Sequence, residues 1–193
     1  IAGVFLYISQ ISGPREEKAS TALSKGQTYF NNEMFEQAVN GDGAGFVGFA
    51  KLADEYSGTK AGNLANLYAG LCYANLGKWA EAQKSLDAFS TEGDQMISPA
   101  SQAALGDAYA HLSQLDKAVD AFKKAADMAD SKAEDDTNNS LSPIFLIKAG
   151  EVLESQGKKD EALKIYQDIK KKYVNSMLVQ SAEIDKYIER ASN

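Results

Sequence analysis

At 193 residues, with 44% hydrophobic and 24% charged side chains, the chain has the composition of an ordinary soluble domain, which argues against disorder and against a polytopic membrane protein. Its 27 acidic side chains outnumber 20 basic ones for a net charge of −7, and no Lys/Arg cluster is interleaved with aromatics, which argues against nucleic acid as a partner. The single cysteine, Cys72, excludes an intrachain disulfide and, beside Tyr73, reads as a buried structural thiol rather than a nucleophile.

The chain opens on Ile1 to Ile8, uninterrupted apolar or small residues, before Ser9, Gln10, Ser12, Gly13 and Pro14 break the run ahead of Arg15. Such a run is about a third of the roughly 20 residues that cross a bilayer. Residues 1–14 are therefore either an apolar helix packed on the domain or the trailing end of a longer membrane anchor. We favour the anchor, because the core is accounted for further along and Tyr7 suits an interfacial position.

From there a pattern recurs. Gly70, Tyr73, Ala82, Leu86 and Phe89 stand at offsets 0, 3, 12, 16 and 19, and Gly106, Tyr109, Ala118, Phe122 and Ala125 repeat them, as do Gly150, Leu153, Ala162, Tyr166 and Ile169. An earlier copy starts at Gly26 and Tyr29, reaches Ala38 on schedule, and resumes at Phe49 and Leu52 after seven extra residues. Self-similarity at this period predicts an all-α solenoid of helical hairpins in one domain over 15–193. Its units lie near 19–58, 59–96, 98–130 and 142–174, with a C-terminal capping helix near 177–191.

Each unit reads as antiparallel helices A and B, the small residues marking their closest approach and the large ones filling the adjoining grooves. Turns fall at Leu76-Gly77-Lys78, Leu112-Ser113-Gln114 and Gln156-Gly157-Lys158, and Ser113 in the glycine place should turn less comfortably. Thr59, Ser98 and Ser142 are the expected N-caps, the last two followed by proline. Helix B should end at Tyr56-Ser57 and at Tyr173-Val174.

Unit markers are spaced by 44, 36 and 44 residues, so two units carry additions. One is Val39 to Gly45, inside a helix B; the other is Asp130 to Ser140, which reads as an exposed polar loop. The acidic stretch Asp127 to Asp136 reads as a solvated linker rather than a seat for a basic peptide.

These offsets resemble the tetratricopeptide repeat, from about Lys18 to Lys172. The apolar start, the phrase Ala38 to Gly43, the junction Tyr56 to Asn63 and the terminal Ile184-Asp185-Lys186-Tyr187-Ile188 resemble the YfgM-like bacterial group, Bacteroidetes-type members in particular. That resemblance implies one N-terminal membrane helix, an array on the periplasmic face of the inner membrane, and association with the translocon or envelope chaperones. Outer-membrane assembly lipoproteins built from similar repeats would need a lipidated cysteine near the start, and none is there.

In this family helix A lines the concave face, which makes Leu64, Leu67, Leu71, Asn75, Asp107, His111, Ile144, Ile147 and Glu151 the expected partner surface for a protein or peptide. The wider set, with Ser20, Leu23, Gln27, Ala100 and Ala103, contains no cation, which argues against a clamp for a C-terminal carboxylate. Alternatively, Leu64, Leu67 and Leu71 simply pack against the insertion or the N-terminal segment. Self-association through the same groove is a second alternative.

Asp107 and His111 share a helix face with Glu151 level in the next unit, but one histidine falls short of a metal site or a metal-dependent hydrolase. Asn40 and Asp42 lie in a glycine-rich stretch that lacks both the lysine of a phosphate loop and the acidic pattern of a calcium loop, so we read it as a helix interruption. No nucleophile with a base and no cofactor fingerprint appears; the sequence calls for no cofactor and no enzymatic activity.

Overall fold

The computed structural model describes residues 12–91 and 93–193. The expected apolar segment therefore lies mainly outside the described residues. Among the described residues the chain is all helical, in two compact units, one ending at Ser90 and one beginning at Thr91, each with its own apolar core.

The N-terminal unit holds α1 (Gly13–Asn31), α2 (Phe35–Asn40), α3 (Phe49–Glu55), α4 (Lys60–Asn75) and α5 (Trp79–Ala88). Helix α1 is a helix A, and its helix B is split into α2 and α3, as the seven surplus residues require. The interruption is built around Asp42, whose carboxylate accepts from the backbone N–H of Ala44 and Phe46, both at 2.8 Å, from Tyr29 Oη at 2.7 Å and from Lys25 Nζ at 2.8 Å. Gly48, at φ 88°, passes so close to the Val39 carbonyl that a Cβ would collide with it. Phe46 and Phe49 are thereby returned to the core on the far side of the loop.

Helix α4 starts as expected at Thr59, whose Oγ1 accepts from Gly62 N at 2.9 Å. The carboxylate of Glu16, from α1, accepts from the N–H groups of Lys60 and Ala61 at 2.8 and 2.9 Å, so the helix end is satisfied twice over.

The C-terminal unit holds α6 (Ile97–His111), α7 (Leu115–Asp130), α8 (Ser142–Ser155), α9 (Lys159–Lys172), α10 (Met177–Gln180) and α11 (Ile184–Ser192). Its two hairpins are α6/α7 and α8/α9. The amphipathic C-terminal helix is divided in two, because Ala182 takes φ 58° and turns the chain so that Ile184 is fully buried.

In every hairpin the glycine of helix A lies under the large residue of helix B. A Cβ on Gly70 would stand 2.6 Å from Leu86 Cγ, and one on Gly106 would stand 2.8 Å from Phe122 Cδ1. On Gly150 it would strike the Tyr166 ring, and on Gly26 the ring of Phe49. The paired alanines Ala38, Ala82, Ala118 and Ala162 are all fully buried.

Two helix starts differ from the sequence reading. Ser98 is inside α6, and the cap is Asp94, whose carboxylate accepts from the N–H of Met96, Ile97 and Ser98 at 2.5 to 3.0 Å and from Ser98 Oγ at 2.6 Å. Ser142 is likewise inside α8; Asn138 Oδ1 accepts from Leu141 N at 2.8 Å, while Ser142 Oγ donates to Asp130 at 2.5 Å. Both hydroxyls donate to a buried or half-buried aspartate rather than accept from the helix.

The stretch read as a solvated linker is exposed at Asp127, Glu134, Asp135 and Asp136, and the reading is corrected at Asp130. Asp130 ends α7 at 6% exposure and accepts from Lys172 Nζ, Tyr173 Oη, Ser142 Oγ and Asn138 N, gathering the loop, α8 and the end of α9.

The Ser113 turn is as strained as expected, with φ 59° where Gly77 has 71° and Gly157 has 75°, and Glu33 in the first unit has 58°. Left-handed backbone costs a non-glycine residue about 1–2 kcal/mol, partly offset by the greater unfolded-state freedom of glycine. Ser113→Gly and Glu33→Gly should each stabilise by about 0.5–1 kcal/mol, read as a higher urea midpoint.

Candidate functional site

Helix A of each hairpin presents one face away from its own helix B, and that face was the expected partner surface. In the N-terminal unit Leu23 and Leu67 are buried, Leu64 is half-buried against the core, Leu71 is half-buried and Asn75 is exposed, donating through Nδ2 to the Leu71 carbonyl at 2.8 Å. Gln27 Nε2 donates to Tyr68 Oη at 3.0 Å and ties α1 to α4. Leu64 packs on the N-terminal core and Leu67 is buried, which leaves Leu71 and Asn75 as the accessible members.

In the C-terminal unit Ala103 and Ile147 are buried, while Ala100, His111 and Glu151 are exposed and Ile144 is 54% exposed. Asp107 on α6 is paired: Lys148 Nζ meets its two oxygens at 2.8 and 2.7 Å and lies 5.4 Å from the Phe122 ring centroid. Glu151 is less closely paired. Its cation is Arg190 at 3.9 Å, and that guanidinium donates to Glu154 at 2.5 and 3.0 Å.

The sequence reading missed Lys148, yet a signal was available. Gln27 and Tyr68 occupy the same two offsets in the first pair of units as Asp107 and Lys148 in the last pair, so the contact is a repeating rung. A second rung recurs at the turns, Lys78 to Glu36 at 3.0 Å and Lys158 to Asp116 at 2.9 Å.

Asp107, His111 and Glu151 do not assemble into a metal site; among the described residues no group of three or more His, Cys, Asp or Glu is placed to hold one. Asn40 Nδ2 donates to Glu36 at 2.6 Å, and the oxygens of Asp42 are taken up within its own loop and by Lys25. The hydrogen bond from Lys25, then those from the Phe46 amide, Tyr29 and the Ala44 amide, hold the Asp42 carboxyl well below the usual carboxylate range. The loop is pinned to α1 through Tyr29 and Lys25.

Cys72 is fully buried, and burial pushes its thiol up to about 12. It should therefore resist a thiol-reactive dye at pH 8 and label at once in denaturant. Rapid labelling of the folded protein would contradict its place in the core.

Hairpins of fixed register, joined by repeating rungs, define a helical-repeat scaffold. Tetratricopeptide repeat family models match residues 64–92 and 146–176, and a further one matches 99–132, each pairing a helix A with its helix B. The chain is a tetratricopeptide repeat protein, a class of protein–protein interaction scaffold that is typically non-enzymatic. No curated protein matches it.

Proposed function

We propose that this chain is a membrane-tethered adaptor on the periplasmic face of the bacterial inner membrane, holding a chaperone, translocon or envelope-biogenesis polypeptide against the helix A faces of its repeats. The observation that carries the binding half is the apolar surface left open there, Ile144 at 54% exposure with Leu71 half-buried, on a scaffold whose other large side chains are mostly committed to packing. The tether and the compartment rest on the apolar run Ile1 to Ile8 and on the likeness to the YfgM-like group. Among the described residues no helix is long and apolar enough to cross a membrane.

The test is photo-crosslinking in cells from probes at Leu71 and Ile144, with Ile147 as the buried control. Recovery of envelope or translocon polypeptides from the two open positions is the expected result. Recovery of cytosolic polypeptides alone would overturn the localisation, and no polypeptide at either position would overturn the adaptor reading.

A further inference from the structure

Helix α2 ends on Asn40, and Gly41 follows, the one asparagine–glycine pair in the chain. The fold requires that glycine. It takes φ 99°, and a Cβ there would stand 2.5 Å from the Phe46 carbonyl oxygen as the chain enters the loop held by Asp42. The same missing side chain leaves the Gly41 amide nitrogen unshielded next to the Asn40 side-chain amide, and Asn40 itself is exposed.

Such a pair reacts with itself, with water as the co-reactant. The Gly41 nitrogen gives up its proton to solvent and attacks Asn40 Cγ; the new C–N bond closes a five-membered succinimide, and the Cγ–Nδ2 bond breaks to release ammonia. Water then opens the ring at one of its two carbonyls. Opening at Cγ leaves aspartate in a normal main chain, whereas opening at the Asn40 main-chain carbonyl leaves isoaspartate, with the chain routed through Cβ and Cγ. No oxidant or reductant is needed.

The folded chain restrains this pair at both groups. Gly41 N–H donates to the Gln37 carbonyl at 2.9 Å, so the nucleophile keeps its proton, and Asn40 Nδ2 donates to Glu36 Oε2 at 2.6 Å. Attack also needs the nitrogen over the face of the side-chain carbonyl, a setting outside the helical backbone in which Asn40 is held. We infer that Asn40-Gly41 is a self-modification site yielding isoaspartate or aspartate, and that the last turn of α2 is the guard that sets its rate. The reaction proceeds from molecules in which that turn is open.

The product weakens its own guard. A carboxylate at position 40 places a like charge one turn from Glu36, which also holds Lys78 at 3.0 Å. Isoaspartate further lengthens the main chain where there is no room, since a Cβ on Gly48 would already stand 2.6 Å from the Asn40 carbonyl carbon and from the Gly41 nitrogen.

The experiment incubates the full 193-residue protein at pH 8, folded or in urea, and follows Asn40 by peptide mass and by an isoaspartate assay. In urea Asn40 should react ahead of Asn139 and Asn175, each followed by serine, and in the folded protein it should react at least about tenfold more slowly than in urea. Asn40→Gln, which keeps an amide donor but closes the five-membered ring no longer, should remove the signal. The isoaspartate form, separated and refolded, should unfold at lower urea than the starting protein and than Asn40→Asp. Equal rates folded and in urea would overturn the guard, and no lead of Asn40 over the two Asn-Ser pairs in urea would overturn the site. An unchanged urea midpoint for the isoaspartate form would overturn the claim that the product opens the turn.

Discussion

Gly150→Ala should destabilise the C-terminal unit by about 2 kcal/mol, although the same change in an open helix would stabilise it by about 1 kcal/mol. The sign is decided by what the methyl would meet: Tyr166 Cζ at 2.6 Å and its Oη at 2.7 Å, with Cε1 closer still. Tyr166 has no room to retreat. It is fully buried, its hydroxyl donates to Glu154 at 2.8 Å, and its ring lies 5.4 Å from that of Tyr187 on α11. Overpacking at so fixed a site costs about 3 kcal/mol, which outweighs the gain in propensity.

Because Glu154 is also the anchor for Arg190, a displaced Tyr166 should loosen α11 together with the hairpin. Urea unfolding of the single variants and of the pair with Tyr166→Ala gives a double-mutant cycle. Removing the ring should abolish the Gly150→Ala penalty, and a penalty that survives it would show that the close approach is not the cause.

That contact also shows why the fold was legible in the sequence. The offsets from Gly70 to Leu86, Gly106 to Phe122 and Gly150 to Tyr166 are steric, and each is settled within one hairpin, so a single unit carries the evidence for its own packing. Even the seven-residue interruption was readable, because Gly26 meets Phe49 at that offset plus seven. The polar features were not readable in the same way. Asp94 displaced Ser98 as a cap, and Asp130 turned an apparent linker into a buried anchor, because a carboxylate with several donors available outcompetes a lone hydroxyl.

On the candidate surface the accessibility of individual side chains was not legible in the sequence. Leu67 and Ile147 are buried, and the charge of Asp107 is answered by Lys148, 41 residues away. Which side chain a neighbouring hairpin covers or neutralises depends on the packing between repeats. One repeat's pattern does not contain that information.

Asp130→Ala should cost the C-terminal unit about 3 kcal/mol, the range for removing one side of a buried, hydrogen-bonded ionic contact. The loss falls on what the carboxylate leaves behind. Tyr173 Oη at 2.6 Å and Ser142 Oγ at 2.5 Å belong to residues 2% and 0% exposed, whereas Lys172, bonded at 2.6 Å, can return to water. Tyr173→Phe removes one donor while keeping the ring and the anion, and should cost only about 1 kcal/mol.

The same site carries a pH dependence whose sign follows from its bonds. Burial alone would raise the Asp130 pKa, but hydrogen bonds from Lys172, Ser142, Tyr173 and the Asn138 amide together hold it below the ordinary value. A folded-state pKa below the unfolded value of about 3.9 means that this stabilisation is complete above that pH and is lost as pH falls through the folded pKa. Asp42, Asp94, Asp116 and Glu154 are lowered as well, so the wild-type protein has a composite acid limb. Melting temperatures from pH 7 to pH 3 should therefore converge for the wild type and Asp130→Asn as the wild-type carboxylate protonates. A gap that stayed constant over that range would mean that Asp130 acts through shape and not through charge.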